Sequence, residues 1–273
     1  MDISKKISVI MPIYNVENTL KEAIDSIINQ TYTNWQLIMC DDASTDSTYE
    51  IAKSYADKYQ DKILLIQNKR NLKIRATLNH CLKYADGEYI ARMDGDDISL
   101  PTRFQKQVQF LEKNQKYIVC GCAMIPFDEY GEYKPRVNSN CFDVNKKREC
   151  FHATLLCRRE MYDRLGGYCE KWYTNRCEDQ YLWYSLSSNK DMFTYNLDEP
   201  LYMVREDRNT YSRRNLKNAF TTSVCLVHCY HMMKFPLRYY IHIFRPYVSA
   251  LLPNCIMKKY HLRKDENMGK NHD

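Results

Sequence analysis

The stretch Glu88-Tyr89-Ile90-Ala91-Arg92-Met93-Asp94-Gly95-Asp96-Asp97 decides the fold of this 273-residue chain. Its apolar run predicts a strand over Tyr89 to Met93, and three acids within four positions follow at the strand's end. Carboxylates this close repel one another, and a divalent metal or several hydrogen-bond donors can offset that repulsion. Open α/β sheets bind their ligands at strand ends. The stretch therefore indicates a cation site, with solvated surface acids as the alternative.

Strands and helices alternate on either side of this stretch. Apolar runs predict strands over Ile7 to Met11, Trp35 to Cys40, Ile63 to Gln67, Tyr89 to Met93 and Ile118 to Gly121. The segments between them have apolar residues at helical spacing. Asn15 and Asn18 are candidate caps of the first helix, and Ser47 with Glu50 predicts a capping box on the second. This alternation predicts right-handed crossovers and a mostly parallel, Rossmann-like α/β sheet flanked by helices.

Polar residues follow three of the predicted strands: Tyr14 and Asn15, Asp41 and Asp42, and the acids from Asp94 to Asp97. The carboxyl ends of parallel strands gather at one edge, so we expect these residues to face one cleft. Neither G-x-G-x-x-G nor the P-loop string occurs, and the chain has seven glycines. A phosphate in this cleft is therefore expected to be bound through a metal rather than by a glycine-rich loop.

Composition places the chain among ordinary globular proteins, with 44% apolar and 27% charged residues. No apolar run approaches the roughly 18 residues of a membrane-spanning helix, and charges occupy Met1 to Ile7, where a signal peptide needs an apolar stretch. None of the twelve cysteines forms a C-x-x-C pair, which argues against a zinc ribbon and favours reduced core thiols. These features predict a cytoplasmic protein.

The positive charge is concentrated at the C-terminal end. Residues 211–273 contain 11 Lys and Arg against 3 Asp and Glu, a net charge of +8, whereas the whole chain is +6. Aromatic and aliphatic residues are interleaved with these cations between Phe235 and Lys264. Such a stretch is typical of a helical segment lying on an anionic membrane surface. The alternative is a helical pair packed on the body of the protein. No nucleic-acid motif accompanies the charge, so no nucleic-acid partner is expected.

Five segments together resemble, in order and spacing, the family 2 glycosyltransferases of bacteria. They are residues 7–15, 26–32, 41–48, 87–91 and 94–97, and the resemblance extends over roughly residues 5 to 205. It implies a GT-A fold, a nucleoside-diphosphate sugar as donor and a divalent metal, Mg²⁺ or Mn²⁺.

The resemblance also assigns residues to the donor. Those carried over by position are Pro12, Tyr14 and Asn15 of the first donor loop, Asp42 with Asp41 beside it, and Asp94, Gly95 and Asp96 of the D-x-D motif with Asp97 adjacent. The resemblance gives Asp42 the nucleobase, and because a carboxylate can accept from a uracil N3–H, a UDP-sugar is favoured. Asp94, Asp96 and Asp97 are the implied metal ligands. The chain departs from the family after Asn71, where Lys73 and Arg75 are expected either to contact the donor or to point into solvent.

The acceptor side is carried over in the same way. Glu178 and Asp179 resemble the family's E-D motif, whose Asp is the general base in inverting members, so Asp179 is the implied catalytic residue. Trp183 follows on the same predicted helix. His152 matches a stretch that lines the acceptor in related enzymes. Without the resemblance, the acidic pair would be an ordinary helix start favoured by the helix dipole.

These expectations divide the chain into a donor-binding half, residues 1–125, an acceptor-binding half of the same domain, residues 126–210, and a basic, aromatic helical tail, residues 211–273. The predicted activity is transfer of a sugar to a polysaccharide or lipid-linked oligosaccharide during cell-envelope glycan synthesis, at the inner face of the cell membrane. Two alternatives stay open. One is a sugar nucleotidyltransferase, for which a glycine-rich basic loop would be expected after the first strand. The other is a non-catalytic nucleotide-sugar-binding or scaffold protein.

Overall fold

A computed structural model describes residues 5–137, 151–206 and 215–252. The strands are β1 (Ile7–Ile13), β2 (Trp35–Asp41), β3 (Ile63–Gln67), β4 (Tyr89–Arg92), β5 (Ile98–Ser99), β6 (Tyr117–Asp128), β7 (Gly131–Glu132), β8 (Leu156–Arg158) and β9 (Phe193–Arg205). The α-helices are α1 (Leu20–Ile28), α2 (Thr48–Lys58), α3 (Ile74–Leu82), α4 (Arg103–Lys113), α5 (Glu160–Leu165), α6 (Glu178–Ser188), α7 (Leu216–Met232) and α8 (Arg245–Leu251). Short 3-10 helices cover His152–Thr154, Trp172–Thr174 and Leu237–Phe244.

One sheet runs through the molecule in the order β3-β2-β1-β4-β8-β6-β9-β5, with β7 paired to β6. The four strands linked by α1, α2 and α3 are parallel, as the alternating pattern predicts. Beyond them the sheet is mixed, since β8 is antiparallel to both β4 and β6, whereas β6 and β9 are parallel. The parallel prediction therefore holds where regular strand-helix-strand units occur in the sequence and ends where they end.

Helix α1 packs its predicted apolar face on this sheet, with Leu20, Ala23, Ile24 and Ile27 fully buried. The predicted caps are wrong. Thr19 precedes the first turn of α1, and neither Asn15 nor Asn18 occupies that position.

At the second helix, Ser47 does occupy the N-cap position, but its side chain makes no capping hydrogen bond. Its backbone N–H donates instead to Glu17 Oε2 at 2.9 Å. The Glu17 carboxylate, from the neighbouring loop, thus accepts the hydrogen bond from the Ser47 N–H that the predicted capping box assigned to Glu50.

Gln30, from the second of the resembling segments, has a purely structural environment. It is 4% exposed. Its Nε2 donates to the carbonyl oxygens of Ser99 at 3.1 Å and Leu100 at 2.9 Å, and its Oε1 accepts from the Phe104 N–H at 3.2 Å. The end of α1 is therefore fastened to the segment that follows the acid cluster.

The described residues group into two units. The first contains residues 5–137, 151–170 and 185–206, and the second contains 171–184 and 215–252. The predicted division differs, because it left 171–184 in the acceptor half. These residues belong with α7 since Cys177 Sγ lies 3.3 Å from Thr222 Oγ1 and the ring of Tyr173 stacks on His228 at 4.1 Å.

Candidate active site

The first unit brings the three predicted strand ends together. Asn15, with φ of +51°, accepts from the Thr45 N–H at 2.9 Å and thereby joins the loop after β1 to the loop after β2. Thr19 Oγ1 donates to the Gly95 carbonyl at 3.0 Å and joins the first loop to the acid cluster. A Cβ on Gly95 would lie 3.1 Å from Ile13 Cγ2, so a larger residue there would require that side chain to shift by a few tenths of an ångström. Tyr14 is 46% exposed beside these contacts, and Pro12 lies in β1 opposite Cys40.

Asp42 fastens the loop that leads to α3. Its Oδ1 accepts from Asn68 Nδ2 and from the Leu72 N–H, both at 2.8 Å, and its Oδ2 accepts from the Lys73 N–H at 2.9 Å. Asn71 Oδ1 also receives the Lys73 N–H at 3.2 Å, and Lys73 has φ of +73°. Asp42 is 4% exposed, so these hydrogen bonds lie within the protein.

Asp41 is fully buried, which corrects the prediction that it contacts the donor. Its carboxylate accepts from Gln67 Nε2 at 2.9 Å and from the Ser44 N–H at 3.3 Å. The side chain therefore holds the turn after β2.

The Asp97 carboxylate is likewise hydrogen-bonded within the protein, which corrects the prediction that it is a metal ligand. The side chain is 3% exposed, its Oδ2 accepts from the Tyr202 hydroxyl at 2.9 Å, and its Oδ1 accepts from the Arg205 N–H at 2.8 Å. Burial, and then the charges of Asp94 and Asp96, raise the pKa of Asp97 to about 8.

Asp94 and Asp96 are the acids of the cluster that face outward. The Asp94 side chain is 26% exposed, and Arg92 donates to its two oxygens at 2.9 and 3.2 Å. Asp96 is exposed, yet partial desolvation by the surrounding loops and then the charge of Asp94 raise its pKa. Within the described residues, no three His, Cys, Asp or Glu side chains form a ready metal cluster. Two repelling carboxylates nevertheless fit Mg²⁺ or Mn²⁺, because such ions are held by one or two carboxylates together with substrate phosphates.

His152 lies in a polar chain behind this pair and not on an open surface. Its Nδ1 is in hydrogen-bond contact with the Arg92 guanidinium, and its Nε2 lies 2.9 Å from the Tyr168 hydroxyl. Tyr168 is in turn 2.7 Å from the Tyr162 hydroxyl. Because both ring nitrogens are engaged, His152 has none left for an acceptor. This corrects its prediction as an acceptor-side residue.

The remaining predicted residues lie in the second unit. Asp179 is exposed at the start of α6, where its Oδ1 accepts from the Gln180 N–H at 2.7 Å, and Glu178 beside it is half-buried. The Asp179 carboxylate is accessible, as a general base requires. Trp183 is 5% exposed, so the structure makes it a packing residue and corrects its assignment to the acceptor surface.

Two residues of β9 belong to the site although the sequence did not indicate them. Tyr202 and Arg205 bind Asp97, and Arg205 Nε also donates to the Asp96 carbonyl at 2.9 Å. They follow the acid cluster by more than 100 positions along the chain. No local pattern in the sequence connects the two segments.

Comparison with known proteins identifies the family of this chain. The family model described as Glycosyl transferase family 2 matches residues 8–169. A relative from Bacillus subtilis (strain 168), the putative glycosyltransferase EpsE, is 44% identical over 271 residues, which cover 98% of this chain and 97% of that protein. The chain therefore belongs to glycosyl transferase family 2, and it is a glycosyltransferase.

Solved structures show the same fold. S. aureus TarS 1-349 in complex with UDP-GlcNAc superposes with a TM-score of 0.65 at 19% identity, covering 88% of this chain and 72% of that one. The mannosyltransferase PcManGT from Pyrobaculum calidifontis, in complex with GDP-Man and Mn²⁺, superposes with a TM-score of 0.58 at 21% identity, covering 90% and 68%. The fold is of the GT-A type.

Proposed function

We propose that this glycosyltransferase is metal-dependent and inverting, and that it transfers a sugar from a nucleoside-diphosphate sugar, with UDP favoured, to a glycan or lipid-linked acceptor in cell-envelope polysaccharide synthesis. The observation that carries the proposal is the outward-facing pair Asp94 and Asp96 at the junction of three strand-end loops. The bound UDP-GlcNAc of TarS and the bound GDP-Man and Mn²⁺ of PcManGT support it by analogy.

On the donor side, Asp42 is the proposed acceptor for the nucleobase N3–H, and its contacts with the Leu72 and Lys73 N–H groups keep the loop through Lys73 in place. Asp94 and Asp96 would hold the metal. A bound divalent cation supplies neutralisation of the charge that develops on the leaving diphosphate. Arg92 keeps the Asp94 carboxylate oriented toward the ligand.

On the acceptor side, Asp179 is the proposed general base. The acceptor oxygen forms a bond to the anomeric carbon as the bond from that carbon to the diphosphate oxygen breaks. The hydroxyl proton passes to the Asp179 carboxylate, and the nucleoside diphosphate leaves with the bonding electrons. Attack opposite to the leaving group inverts the anomeric carbon. Proton transfer requires the carboxylate and the hydroxyl to come within about 3 Å in the complex.

The metal and donor parts of this proposal are tested by thermal unfolding with nucleoside diphosphates and nucleotide sugars, with and without Mn²⁺. A ligand at 100 times its Kd stabilises the folded state by about 2.7 kcal/mol. We expect stabilisation by one nucleotide that depends on Mn²⁺ and is lost in Asp96→Ala. Asp61→Ala, which changes an exposed acid away from the site, is the control. If no nucleotide stabilises the wild type, the chain does not use a nucleotide-sugar donor.

The second unit supports a location at a membrane surface. The residues Leu237, Ile241, Phe244, Val248 and Leu251 recur at spacings of three and four and are 85%, 68%, 58%, 58% and 72% exposed. We call these five residues the apolar stripe. The residues between them, Tyr239, Tyr240 and Ile243, pack instead against a buried cluster that includes Cys225, Cys229 and Tyr230 of α7. One face of this segment therefore packs within the second unit, and the apolar stripe on the other face is exposed.

The charges of the segment that carries the apolar stripe favour an anionic partner. Residues 215–252 include four cations, Lys217, Lys234, Arg238 and Arg245, and no Asp or Glu. A second copy of this chain would bring like charges together, whereas an anionic bilayer offers opposite charge and an apolar interior. In the described part of the chain, no helix is long and apolar enough to cross a membrane. We therefore propose peripheral attachment at the inner face of the cell membrane, where a lipid-linked acceptor is presented.

A further inference from the structure

Arg92 and His152 together form the support of the D-x-D carboxylate Asp94. Arg92 is 5% exposed, and its guanidinium contacts Asp94 on one side and His152 Nδ1 on the other. Its own backbone carbonyl accepts from Arg103 Nη2 at 3.0 Å. We propose that His152 is a positioning residue for the donor metal site, whose imidazole fixes the Arg92 guanidinium so that Arg92 holds Asp94 in the orientation that binds the cation. This inference rests on the proposed function.

The direction of the hydrogen bonds requires a neutral imidazole. A guanidinium has only donors, so Nδ1 must accept from Arg92, and the remaining ring proton sits on Nε2 and is donated to the Tyr168 hydroxyl. Desolvation, and then the positive charge of Arg92, hold the pKa of His152 well below its usual range. The tautomer is therefore set by Arg92 at one nitrogen and by Tyr168 at the other.

The contact between Arg92 and Asp94 leaves room for a metal. Arg92 occupies about two of the roughly four acceptor sites of the Asp94 carboxylate, one on each oxygen. The positive charge of Arg92 also offsets part of the repulsion between Asp94 and Asp96 before a cation arrives. Groups that orient metal-binding side chains typically change metal affinity by about 10- to 100-fold when removed.

Three substitutions of His152 separate positioning from packing. The Oδ1 of Asn reaches about the place of Nδ1, so His152→Asn keeps an acceptor for Arg92. The amide of Gln reaches about the place of Nε2, so His152→Gln keeps the contact with Tyr168 and loses the acceptor. His152→Ala loses both, and Tyr168→Phe removes only the distal hydroxyl.

The measurement is the Kd of UDP and of GDP by calorimetry, with and without Mn²⁺, on the full chain. With Mn²⁺ we expect His152→Gln and His152→Ala to bind the preferred nucleotide roughly ten-fold more weakly than wild type, and His152→Asn to bind within about three-fold of it. Without Mn²⁺ we expect wild type and these variants to bind alike. Unfolding curves identify any variant that fails to fold. His152→Asn, which keeps the acceptor for Arg92, and Tyr168→Phe, which removes only the distal hydroxyl, are the conservative substitutions of the series.

Three other outcomes would overturn the inference. If wild type binds a nucleotide with Mn²⁺ and His152→Gln binds it equally well, His152 only packs, and the inference falls while the proposed function stands. Equal losses with and without Mn²⁺ would also overturn it. If the wild type shows no Mn²⁺-dependent nucleotide binding, the proposed function and the inference fall together.

Discussion

Replacing two central residues of the apolar stripe, in the double variant Ile241→Ser and Phe244→Ser, should release the protein from anionic vesicles. The two side chains are 68% and 58% exposed, so both can enter a bilayer interface without unfolding the helices that carry them. Full burial of such a side chain contributes about 1.5–3 kcal/mol. Scaled by these exposed fractions, the pair contributes about 1.9–3.8 kcal/mol, which corresponds to a roughly 25- to 600-fold weaker partition coefficient.

The assay is sedimentation with vesicles of phosphatidylcholine and phosphatidylglycerol at increasing lipid concentration. The matched control is Leu64→Ser with Phe193→Ser, which removes two apolar side chains of the first unit that are 40% and 50% exposed. We expect the control to sediment like wild type. We also expect neutral vesicles and raised salt to weaken wild-type binding, since Arg238 and Arg245 flank the stripe. Equal loss in the stripe and control variants, or undiminished binding by the stripe variant, would refute the assignment of this face.

Three further predictions concern the first unit and the proposed base. Asp179→Asn should lower the transfer rate by about 10²- to 10⁴-fold with an unchanged donor Kd, and an equal loss of donor binding by calorimetry would show that the base lies elsewhere. Gln30→Ala should destabilise the fold by about 2–3 kcal/mol because it orphans the buried Phe104 N–H, whereas the exposed Gln115→Ala should change stability by less than about 0.5 kcal/mol in urea unfolding. The pKa of His152 is lower in the folded protein than the roughly 6.5 of the unfolded chain, so the unfolded state takes up the proton first as pH falls. Below about pH 6.5 the free energy of unfolding of the wild type should therefore fall by up to about 1.4 kcal/mol per pH unit relative to that of His152→Asn. Urea midpoints that change with pH by the same amount in both proteins would contradict this.

The regular part of the fold follows from the sequence because each strand and helix there has its own periodicity. Runs such as Ile7 to Met11 and the inner face of α1 are defined by neighbours within a few positions. The convergence of the loops after β1, β2 and β4 then follows from parallel strand geometry. The mixed half of the sheet could not be derived in this way, since β8 is three residues long and pairs with strands on both sides.

The individual site residues were harder to assign because adjacent acids look equivalent in a sequence. Asp41, Asp42 and Asp97 are buried and bonded to the protein, whereas Asp96 is exposed. The difference depends on partners such as Tyr202, which is 105 positions away from Asp97. His152 is a similar case, since only its contact with Arg92 shows that it lies behind the acid cluster.

The packing of residues 171–184 against α7 changes how damaged copies of this gene should be interpreted. A stop codon before Leu216 would remove Thr222 and His228, the partners of Cys177 and Tyr173. The segment that begins α6 with Glu178 and Asp179 would then lose its folded neighbours. If Asp179 is the general base, as proposed, such an allele would be catalytically inactive. If the apolar stripe binds the membrane, point substitutions there would instead give an enzyme that is released from the membrane and still turns over soluble acceptors, so the two kinds of lesion should differ in the products they accumulate.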